Sequence, residues 1–369
     1  MIKILHLNTE KGWRGGENQM RLLIEGMLGN NNFENHVAAL EQEECLQRFK
    51  PICQTFAIKS RFSFNLMQAK KIASYCSDQQ IQILDAHTAR THTLACFIKM
   101  FNPSLKLVVH RRVDNHPGKS FLTRRKYYSK KIDSFVAISG AIKNILINIG
   151  VKEEKIIVVK SAVPNEPYLK LNKKEEKAKW AKKWNINPEI TWFGNASAIA
   201  HQKAYDVLVK AVDLLKSKKV EFHCLIAGTG PQEKEIKNLV KQLQLEDKVT
   251  FVGFTNEVPS FLSALDILTV PSNNEGLGTI ILEGIHAGCA VIASEIGGIP
   301  EMIKNKNTGL LIPCGSYKDL AKGIEELINA PATSVQYIQN AKLLAEKEFS
   351  VKSMVNGNIQ NYQTLLANH

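Results

Sequence analysis

Long hydrophobic runs are absent from this sequence, which excludes a protein that spans a membrane. The longest apolar stretches, such as 156–159, are of strand length, whereas a spanning helix needs about 20 apolar residues. The first residues also lack the apolar core and the small-residue cleavage site of a signal peptide. We therefore expect a cytoplasmic protein.

Cysteine is sparse and unpatterned. The seven cysteines are odd in number, scattered, and show no C-x-x-C pair. We expect reduced thiols that fill the core rather than disulfides or reactive groups.

Acidic residues are too few in the N-terminal part to balance its basic ones. Residues 1–170 contain 26 Lys and Arg against 14 Asp and Glu, while residues 171–369 contain 22 against 21. All nine arginines lie in the first part. A field of one sign favours an anionic surface or ligand, such as lipid headgroups, nucleic acid or a phosphorylated glycan.

The chain itself is long enough for two domains. It has 369 residues, of which 44% are hydrophobic and 22% charged. Strand-sized segments alternate with helical ones in both halves, which predicts parallel sheets. Ligands bind beyond the carboxyl ends of such strands, so we expect a site in a cleft between two facing domains. The predicted strands are 2–7, 81–86, 106–110, 134–138, 155–159, 189–193, 222–227, 248–252, 266–270 and 290–293.

One polar stretch interrupts this alternation. It is rich in Lys, Glu and Trp, covers 170–187 and ends at Pro188. We predict an N-terminal domain over 1–169, a linker over 170–187 and a second domain over 188–350. The remaining segment, 351–369, is predicted to be a C-terminal helix that packs back on the first domain.

The most informative segment is a glycine loop and the helix after it. Glu275 stands before Gly276 and Gly278 in the loop, and Glu283 lies one turn into the predicted helix 279–287. A helix N-terminus preceded by glycines lets backbone N–H groups approach a phosphate. The two carboxylates can accept paired hydrogen bonds from vicinal hydroxyls of a sugar or ribose. The alternative is a pair of solvated glutamates.

The E-x7-E spacing within EGLGTIILEGIHAGCAVIAS resembles the nucleotide-sugar signature of the retaining glycosyltransferases of family four. Resemblance is almost continuous over 222–303 and weaker over 136–163 and the GWRGGENQM loop. It implies the GT-B fold, an α/β architecture of two Rossmann-like doubly wound parallel-sheet domains facing across a cleft. It also implies transfer of a sugar from a nucleotide-sugar, with UDP favoured and GDP possible, to a hydroxyl of a glycan or glycolipid. Bacterial lipopolysaccharide and cell-surface glycan synthesis are the implied settings.

The resemblance assigns the donor contacts. Glu283 would bind the ribose hydroxyls, Glu275 the hydroxyls of the transferred sugar, and the backbone near Phe254 the base. Gly15 and Gly16 of the first loop would approach the donor phosphate and the acceptor, although a glycine pair is often only a turn. The remaining donor contacts come from the glycine loop and helix start: Gly276, Leu277, Gly278, Thr279 and Ile280.

A departing nucleotide diphosphate needs a cation, and the sequence contains no D-x-D metal motif. We therefore expect no metal or other cofactor. The family uses an Arg and a Lys at the first strand-to-helix turn of the second domain. In WFGNASAIAHQKAYDVL, Lys203 matches the lysine, but Asn195 replaces the arginine and Ala204 a glycine. Either His201 or an N-domain arginine compensates, or Lys203 and the helix amides suffice; a surface role for Lys203 is the alternative.

Retention without an obvious nucleophile resembles the front-face route proposed for the family. The acceptor hydroxyl attacks from the side on which the nucleotide leaves, and a leaving phosphate oxygen takes its proton. Orientation and charge stabilisation would then dominate. Glu275 and Glu283 would be binding groups, unlike the paired carboxylates of glycosidases.

Candidate acceptor residues lie at predicted strand ends in the N-terminal domain. His87, in LDAHTARTH, matches the family's histidine near the transferred sugar and completes a predicted catalytic set with Lys203 and Glu275. A buried structural histidine is the alternative. Arg111 and Arg112 follow another strand and are predicted to face an anionic acceptor, or else to be solvated.

A basic and aromatic segment, GKSFLTRRKYYSKKI, follows. Its cations include Arg124, Arg125 and Lys126, interleaved with Phe and Tyr. Such a stretch can lie on an anionic membrane surface, which predicts a peripheral enzyme on the inner face of the plasma membrane. The alternative is a solvated helix that packs its aromatic residues into the core.

Other classes fit less well. A Rossmann oxidoreductase needs a G-x-G-x-x-G after the first strand, and GTGPQE lacks the third glycine. No nucleic-acid-binding module or stacking platform is visible, so no nucleic-acid partner is expected. A phosphorylase-like or non-catalytic GT-B protein stays open because of Asn195.

Overall fold

The chain folds into two compact units, each built on one parallel sheet. The first unit comprises Met1–Ala162 and Val351–His369, and the second comprises Val163–Ser350. The structure is a computed structural model, and the residues it describes are 1–62, 64–114, 126–218 and 220–367.

The first unit has a seven-stranded sheet in the described residues, with all strands parallel in the order β3-β2-β1-β4-β5-β6-β7. The central strands β1 and β5 are buried over most of their length because both faces of the sheet are covered. The strands are β1 Ile2–Asn8, β2 Phe33–Leu40, β3 Gln54–Ile58, β4 Ile83–Ala86, β5 Lys106–Arg111, β6 Ser134–Ala137 and β7 Ile156–Val158. The helices between them are α1 Gly15–Met27, α2 Glu44–Phe49, α3 Leu66–Asp78, α4 Ala89–Phe101 and α5 Gly140–Asn148.

The second unit repeats this design with a six-stranded parallel sheet, ordered β10-β9-β8-β11-β12-β13. Its strands are β8 Thr191–Ala196, β9 Phe222–Ala227, β10 Val249–Gly253, β11 Ile267–Val270, β12 Ala290–Ser294 and β13 Leu310–Ile312. Its helices are α6 Glu166–Leu169, α7 Lys173–Trp184, α8 Tyr205–Ser217, α9 Glu233–Gln242, α10 Val258–Ala264, α11 Ile280–Ala287, α12 Ile299–Met302, α13 Tyr317–Asn329 and α14 Pro331–Glu348. Two Rossmann-like sheets confirm the predicted fold class.

The boundary between the units differs from the prediction. The second unit begins at Val163 rather than after 169, and most of the expected linker 170–187 is the packed helix α7. Trp180 of α7 is 1% exposed, donates from Nε1 to Ser260 Oγ at 2.9 Å and meets the Phe261 ring edge-on. One side of α7 is buried through Trp180, while the rest of the helix is charged. The polar composition of 170–187 therefore did not indicate a packed helix.

The last helix, α15 (Val351–Ala367), belongs to the first unit. Its residues Met354, Val355 and Tyr362 join the core formed by α1 and the central strands. Gly26 of α1 permits this packing, since a Cβ there would lie 2.4 Å from Val355 Cγ2. In the described parts of both units, no helix combines the length and hydropathy needed to cross a bilayer.

Candidate active site

Two loops at the carboxyl edge of the second sheet are joined by hydrogen bonds. The Asn273 amide N–H donates to the Gln202 carbonyl at 2.8 Å, and Asn273 Nδ2 donates to the His201 carbonyl at 3.1 Å. These bonds hold a short 3-10 turn, His201–Lys203, against the loop that precedes α11. Residues about seventy positions apart in the chain thereby share one site.

Lys203 and Glu275 form an ion pair at this junction, between Lys203 Nζ and Glu275 Oε1. Ser272 Oγ donates to the same carboxylate oxygen at 3.0 Å. The lysine and glutamate side chains are only 14% and 9% exposed. The structure thus brings together two of the three predicted catalytic residues, and the pair is not a solvated surface contact.

The backbone of Glu275 is held by the loop that follows β12. The Gly298 N–H donates to the Glu275 carbonyl at 3.3 Å. Gly297 has φ +56, and a Cβ there would lie 1.8 Å from the Glu275 carbonyl oxygen. Only glycine allows this approach. Gly278, at φ +86, makes the turn into α11.

Helix α11 starts without a side-chain cap. Within the described residues, Thr279 at the N-cap position makes no side-chain hydrogen bond to the first turn. The first-turn N–H groups of such a helix suit an anion. Leu277 and Ile280 are buried, so their side chains belong to the core and only their backbone can serve a ligand. Gly276 lies in the same loop.

Glu283 lies farther along α11 and has a different partner. Tyr168, on the short helix α6, donates its hydroxyl to Glu283 Oε2 at 3.3 Å. Burial raises the pKa of Glu283 to about 7. Burial and the facing Glu283 also raise the pKa of Tyr168. Sequence reasoning missed Tyr168, because nothing in its local sequence marks it as a partner of the signature glutamate.

Asn195, predicted to contact the donor, is fully buried. Its Nδ2 donates to the Thr269 carbonyl at 2.8 Å, and its Oδ1 accepts from Ser197 Oγ at 2.9 Å. The amide therefore ties β8 to β11 instead of presenting a polar group at the sheet edge. Ala204 has φ +49, the left-handed region that glycine adopts most easily.

Phe254 follows β10 and is 73% exposed. Beside it, the GTG turn after β9 packs on the turn after β8. A Cβ at Gly228 would lie 2.1 Å from the Ser197 carbonyl oxygen, and one at Gly230 would lie 2.3 Å from that of Ile199. The glycines of GTG thus allow two backbone turns to pack closely. The ring of Phe254 is exposed at the same edge of the sheet.

The third predicted catalytic residue, His87, belongs to a buried network in the first unit. His87 Nδ1 lies 3.0 Å from Arg112 Nη2, and His87 Nε2 lies 3.0 Å from His6 Nδ1. His6 Nε2 in turn lies 3.0 Å from Asn35 Oδ1. Arg112 can only donate, so His87 Nδ1 accepts and His87 carries its proton on Nε2. The histidine is engaged at both ring nitrogens.

A second branch of the network reaches Asp85. His110 Nδ1 lies 3.3 Å from Arg112 Nη2, and His110 Nε2 lies 2.9 Å from Asp85 Oδ1. Tyr362 of α15 donates its hydroxyl to Asp85 Oδ2. Burial alone would raise the pKa of Asp85, but the facing His110 and His87 hold it well below its usual range. Burial also lowers the pKa values of His87 and His110. Asp85 is therefore ionised, while His87 and His110 are neutral.

Three of these groups could hold a metal ion. Among the described residues, His6, Asp85 and His87 each offer one ligand atom, and these atoms lie within 4.8 Å of one another. Each is already engaged by the hydrogen bonds above. Sequence reasoning named His87 but not His6 or Asp85, because β1 and β4 become neighbours only in the sheet.

Gly15 and Gly16 begin α1. In the described structure, a Cβ on Gly15 would meet no atom within 4 Å, and one on Gly16 would lie 3.9 Å from Arg112 Cδ. Neither glycine has a positive φ. The space over Gly15 is open, which suits close approach of a ligand to the backbone.

In the described part of the predicted membrane segment, Lys126 and Tyr127 bind other parts of the first unit, while Tyr128 is 50% exposed. Lys126 Nζ donates to the Ala89 carbonyl at 2.6 Å, and burial lowers the pKa of Lys126 to about 8. Tyr127 is 6% exposed and accepts a hydrogen bond from Arg111 Nη1 at 3.1 Å. The Lys126 ammonium thus binds a carbonyl at the start of α4. Arg124 and Arg125 lie outside the described residues.

Two Rossmann-like units, one with a Lys–Glu pair beside a glycine-preceded helix, define the GT-B class of glycosyltransferases. The family model described as "Glycosyl transferases group 1" matches residues 176–344, and the "Glycosyltransferase Family 4" model matches residues 13–166. The chain belongs to this glycosyltransferase family.

Curated relatives and solved structures agree with this assignment. An uncharacterized glycosyltransferase of Haemophilus influenzae is 29% identical over 154 residues, which are 42% of this chain and 43% of its own length. The lipopolysaccharide core biosynthesis mannosyltransferase LpsB of Rhizobium meliloti is 25% identical over 198 residues, 52% of this chain and 56% of its own. The chain thus spans about half the length of these relatives.

The structural likenesses cover the whole fold. A glycosyltransferase of Rickettsia africae superimposes with a TM-score of 0.88 at 21% identity, covering 100% of this chain and 99% of its own. HepE of Anabaena, solved in complex with UDP-glucose, gives 0.83 at 18% identity and covers 100% of both chains. At these identities the likeness shows the fold.

Proposed function

We propose that the protein is a retaining, metal-independent glycosyltransferase that moves a sugar from a UDP-sugar, or alternatively a GDP-sugar, to a hydroxyl of a bacterial surface glycan or glycolipid. The observation that carries this proposal is the Lys203–Glu275 pair beside the uncapped start of α11. The UDP-glucose complex of HepE and the lipopolysaccharide role in the name of LpsB support the donor and acceptor classes.

In the unliganded site, Lys203 is neutralised by Glu275. A nucleotide diphosphate at the start of α11 would offer Lys203 a stronger anion and would release the carboxylate to accept hydrogen bonds from sugar hydroxyls. Lys203 and the helix amides would then stabilise the charge that develops on the leaving phosphate. A donor would bind here by replacing the Lys203–Glu275 ion pair, so Lys203 faces an anion both before and after binding.

The acceptor hydroxyl would attack from the side on which the diphosphate leaves. A phosphate oxygen would take its proton while the C–O bond to the acceptor forms and the C–O bond to the phosphate breaks. Atoms and charge balance without a protein base, so Glu275 and Glu283 act as binding groups. The missing arginine at Asn195 leaves Lys203 and the amides to carry the leaving charge.

A donor screen tests this proposal. UDP, GDP, ADP and their sugars are compared by thermal shift, and release of the nucleotide is followed with and without EDTA. We expect one nucleotide to stabilise the chain and turnover to survive EDTA. A strict Mg²⁺ requirement would refute metal independence, and donor binding without turnover on any glycan or glycolipid would favour the non-catalytic alternative.

We also propose that the enzyme associates with an anionic membrane through the basic segment that contains Arg124 and Arg125. The support is the clustering of cations and aromatic residues in the sequence.

A further inference from the structure

The first unit contains a cavity of about 630 Å³ next to the histidine network. It is lined by His87, His110 and the start of α1, together with five basic side chains and two carboxylates. The charged lining residues are Lys11, Arg14, Arg61, Arg111, Arg112, Glu10 and Glu17. The cavity therefore carries an excess of positive charge.

Both carboxylates already have partners. Glu10 pairs with Arg61 and with Arg90, each at 2.7 Å. Glu17 accepts from Asn8 Nδ2 at 2.8 Å and from the Arg14 backbone N–H at 3.0 Å. Neither carboxylate is within ion-pair distance of Arg112. The nearest further carboxylate, Asp85, lies behind the two histidines, 3.4 Å from His87 Nε2 and 2.9 Å from His110 Nε2.

Arg112 is held in place by neutral groups. Its Nη2 is directed at His87 Nδ1 and His110 Nδ1, and its Nε is buried with no hydrogen-bond partner in the described structure. The imidazoles fix the direction of the guanidinium, and Asp85 contacts their other ring nitrogens. A buried donor on a cation costs free energy unless an acceptor reaches it. The Nε donor of Arg112 is therefore left for an acceptor that the described residues do not supply.

We propose that this cavity is a subsite for an oxyanion, a phosphate or a carboxylate, that the acceptor substrate carries. Arg112 is its main ligand, and Arg14 adds charge at the exposed start of α1. This inference rests on the proposed function, because it names a chemical feature of the acceptor. Guanidinium groups suit it, since their planar donors match both phosphate and carboxylate oxygens.

The test uses the full chain saturated with the nucleotide that the donor screen identifies, so that the donor site cannot take up the probe. Inorganic phosphate and acetate are titrated separately against chloride at equal ionic strength, with unfolding temperature and calorimetry as readouts. The variants are Arg112→Gln and Arg14→Gln; the second is on an exposed residue and guards against misfolding of the first. Arg21→Gln, which breaks a surface pair with Glu25 on α1, is the matched control.

We expect saturable binding of one probe, weakened roughly tenfold or more in Arg112→Gln, as expected for a lost charged hydrogen bond. Arg14→Gln should weaken it severalfold, and Arg21→Gln should not change it. Binding of phosphate alone or of acetate alone identifies the acceptor group. Failure of both probes to exceed chloride, or equal binding in Arg112→Gln, overturns the subsite.

Failure of the proposed function would look different. A chain that binds phosphate through Arg112 but no sugar nucleotide would keep the subsite and lose the donor site. A Lys203→Gln variant separates the two further, since it should weaken UDP and leave the anion affinity of the first unit unchanged.

Discussion

Lys203 and Glu275 are 72 positions apart in the chain and form one partly buried ion pair at the carboxyl edge of the second sheet. The pair exists because hydrogen bonds from the backbone and the side chain of Asn273 join the two loops that carry it. In the proposed mechanism this one contact supplies both the cation for the leaving diphosphate and the carboxylate for the sugar hydroxyls.

Replacing Lys203 with Ala should slow transfer by about 10²- to 10³-fold, the usual loss when one charge-stabilising group is removed. Steady-state kinetics with the preferred donor would measure it. Lys210→Ala is the control, since Lys210 forms an exposed pair with Asp206 on α8. Equal rates in the Lys203 variant and the control would remove the lysine from the mechanism.

Glu283 should make stability depend on pH. The pKa of Glu283 in the folded chain is about 7, above the usual value near 4.3. The contribution of Glu283 to the free energy of unfolding is therefore fully present below the unfolded pKa and is lost as the pH rises through about 7. Glu283→Gln removes this loss and should stabilise the unliganded chain more at pH 8 than at pH 5. Urea unfolding at both pH values measures the difference, with the exposed Glu326→Gln as control. A variant whose advantage does not grow with pH contradicts the raised pKa.

Ala204 should tolerate glycine unusually well. Its left-handed backbone, at φ +49, is strained for a side chain, and relief of this strain offsets the lost methyl group and the freer unfolded chain. We expect Ala204→Gly to change the free energy of unfolding by less than about 0.5 kcal/mol. Ala211→Gly, at a buried position inside α8, should cost about 1 kcal/mol or more. Equal costs at the two positions would contradict this account of the turn.

His87→Ala should act through Arg112. Loss of the imidazole frees the guanidinium, so we expect KM for the acceptor to rise severalfold while KM for the donor stays constant. His36→Ala removes another buried histidine of the first unit, one bonded to Tyr75 and Glu34, and should change neither constant. A loss confined to kcat would instead favour direct contact between His87 and the transferred sugar.

Charge reversal at Arg124 and Arg125 should release the protein from vesicles that contain anionic lipid. Each basic residue near such a surface contributes about 1 kcal/mol, so the double reversal is expected to reduce binding by well over tenfold. Sedimentation with vesicles measures it, and reversal of the exposed Lys174 and Lys182 on α7 is the control. Lys126 is best left unchanged, since its inward hydrogen bond to Ala89 makes it part of the fold. Undiminished sedimentation would retire the membrane proposal.

Sequence patterns predicted the features that depend on residues close together in the chain. Apolar runs bounded by turns predicted the central strands, and Glu275 and Glu283 were found from their spacing around a glycine loop. Strand β2 was missed because three polar residues follow the first residue of its sequence, FENHVAAL. Strand β13 was missed because it is only three residues long.

The rest depended on neighbours that are distant in sequence. The partner of Glu283 is Tyr168, and the network around His87 draws on β1, β5 and the last helix. The family pattern suggested that Asn195 would reach the donor, yet an amide is short enough to be enclosed between two strands. Such outcomes follow from packing, which residue spacing does not encode.

The return of α15 to the first unit makes the second unit an insertion within the first. A chain shortened before Val351 would lose the hydroxyl that Tyr362 donates to Asp85 and one wall of the core around α1. Damage from a C-terminal deletion would therefore appear at the opposite end of the sequence, in the unit that begins at Met1. Affinity tags are accordingly safer when a spacer separates them from Ala367.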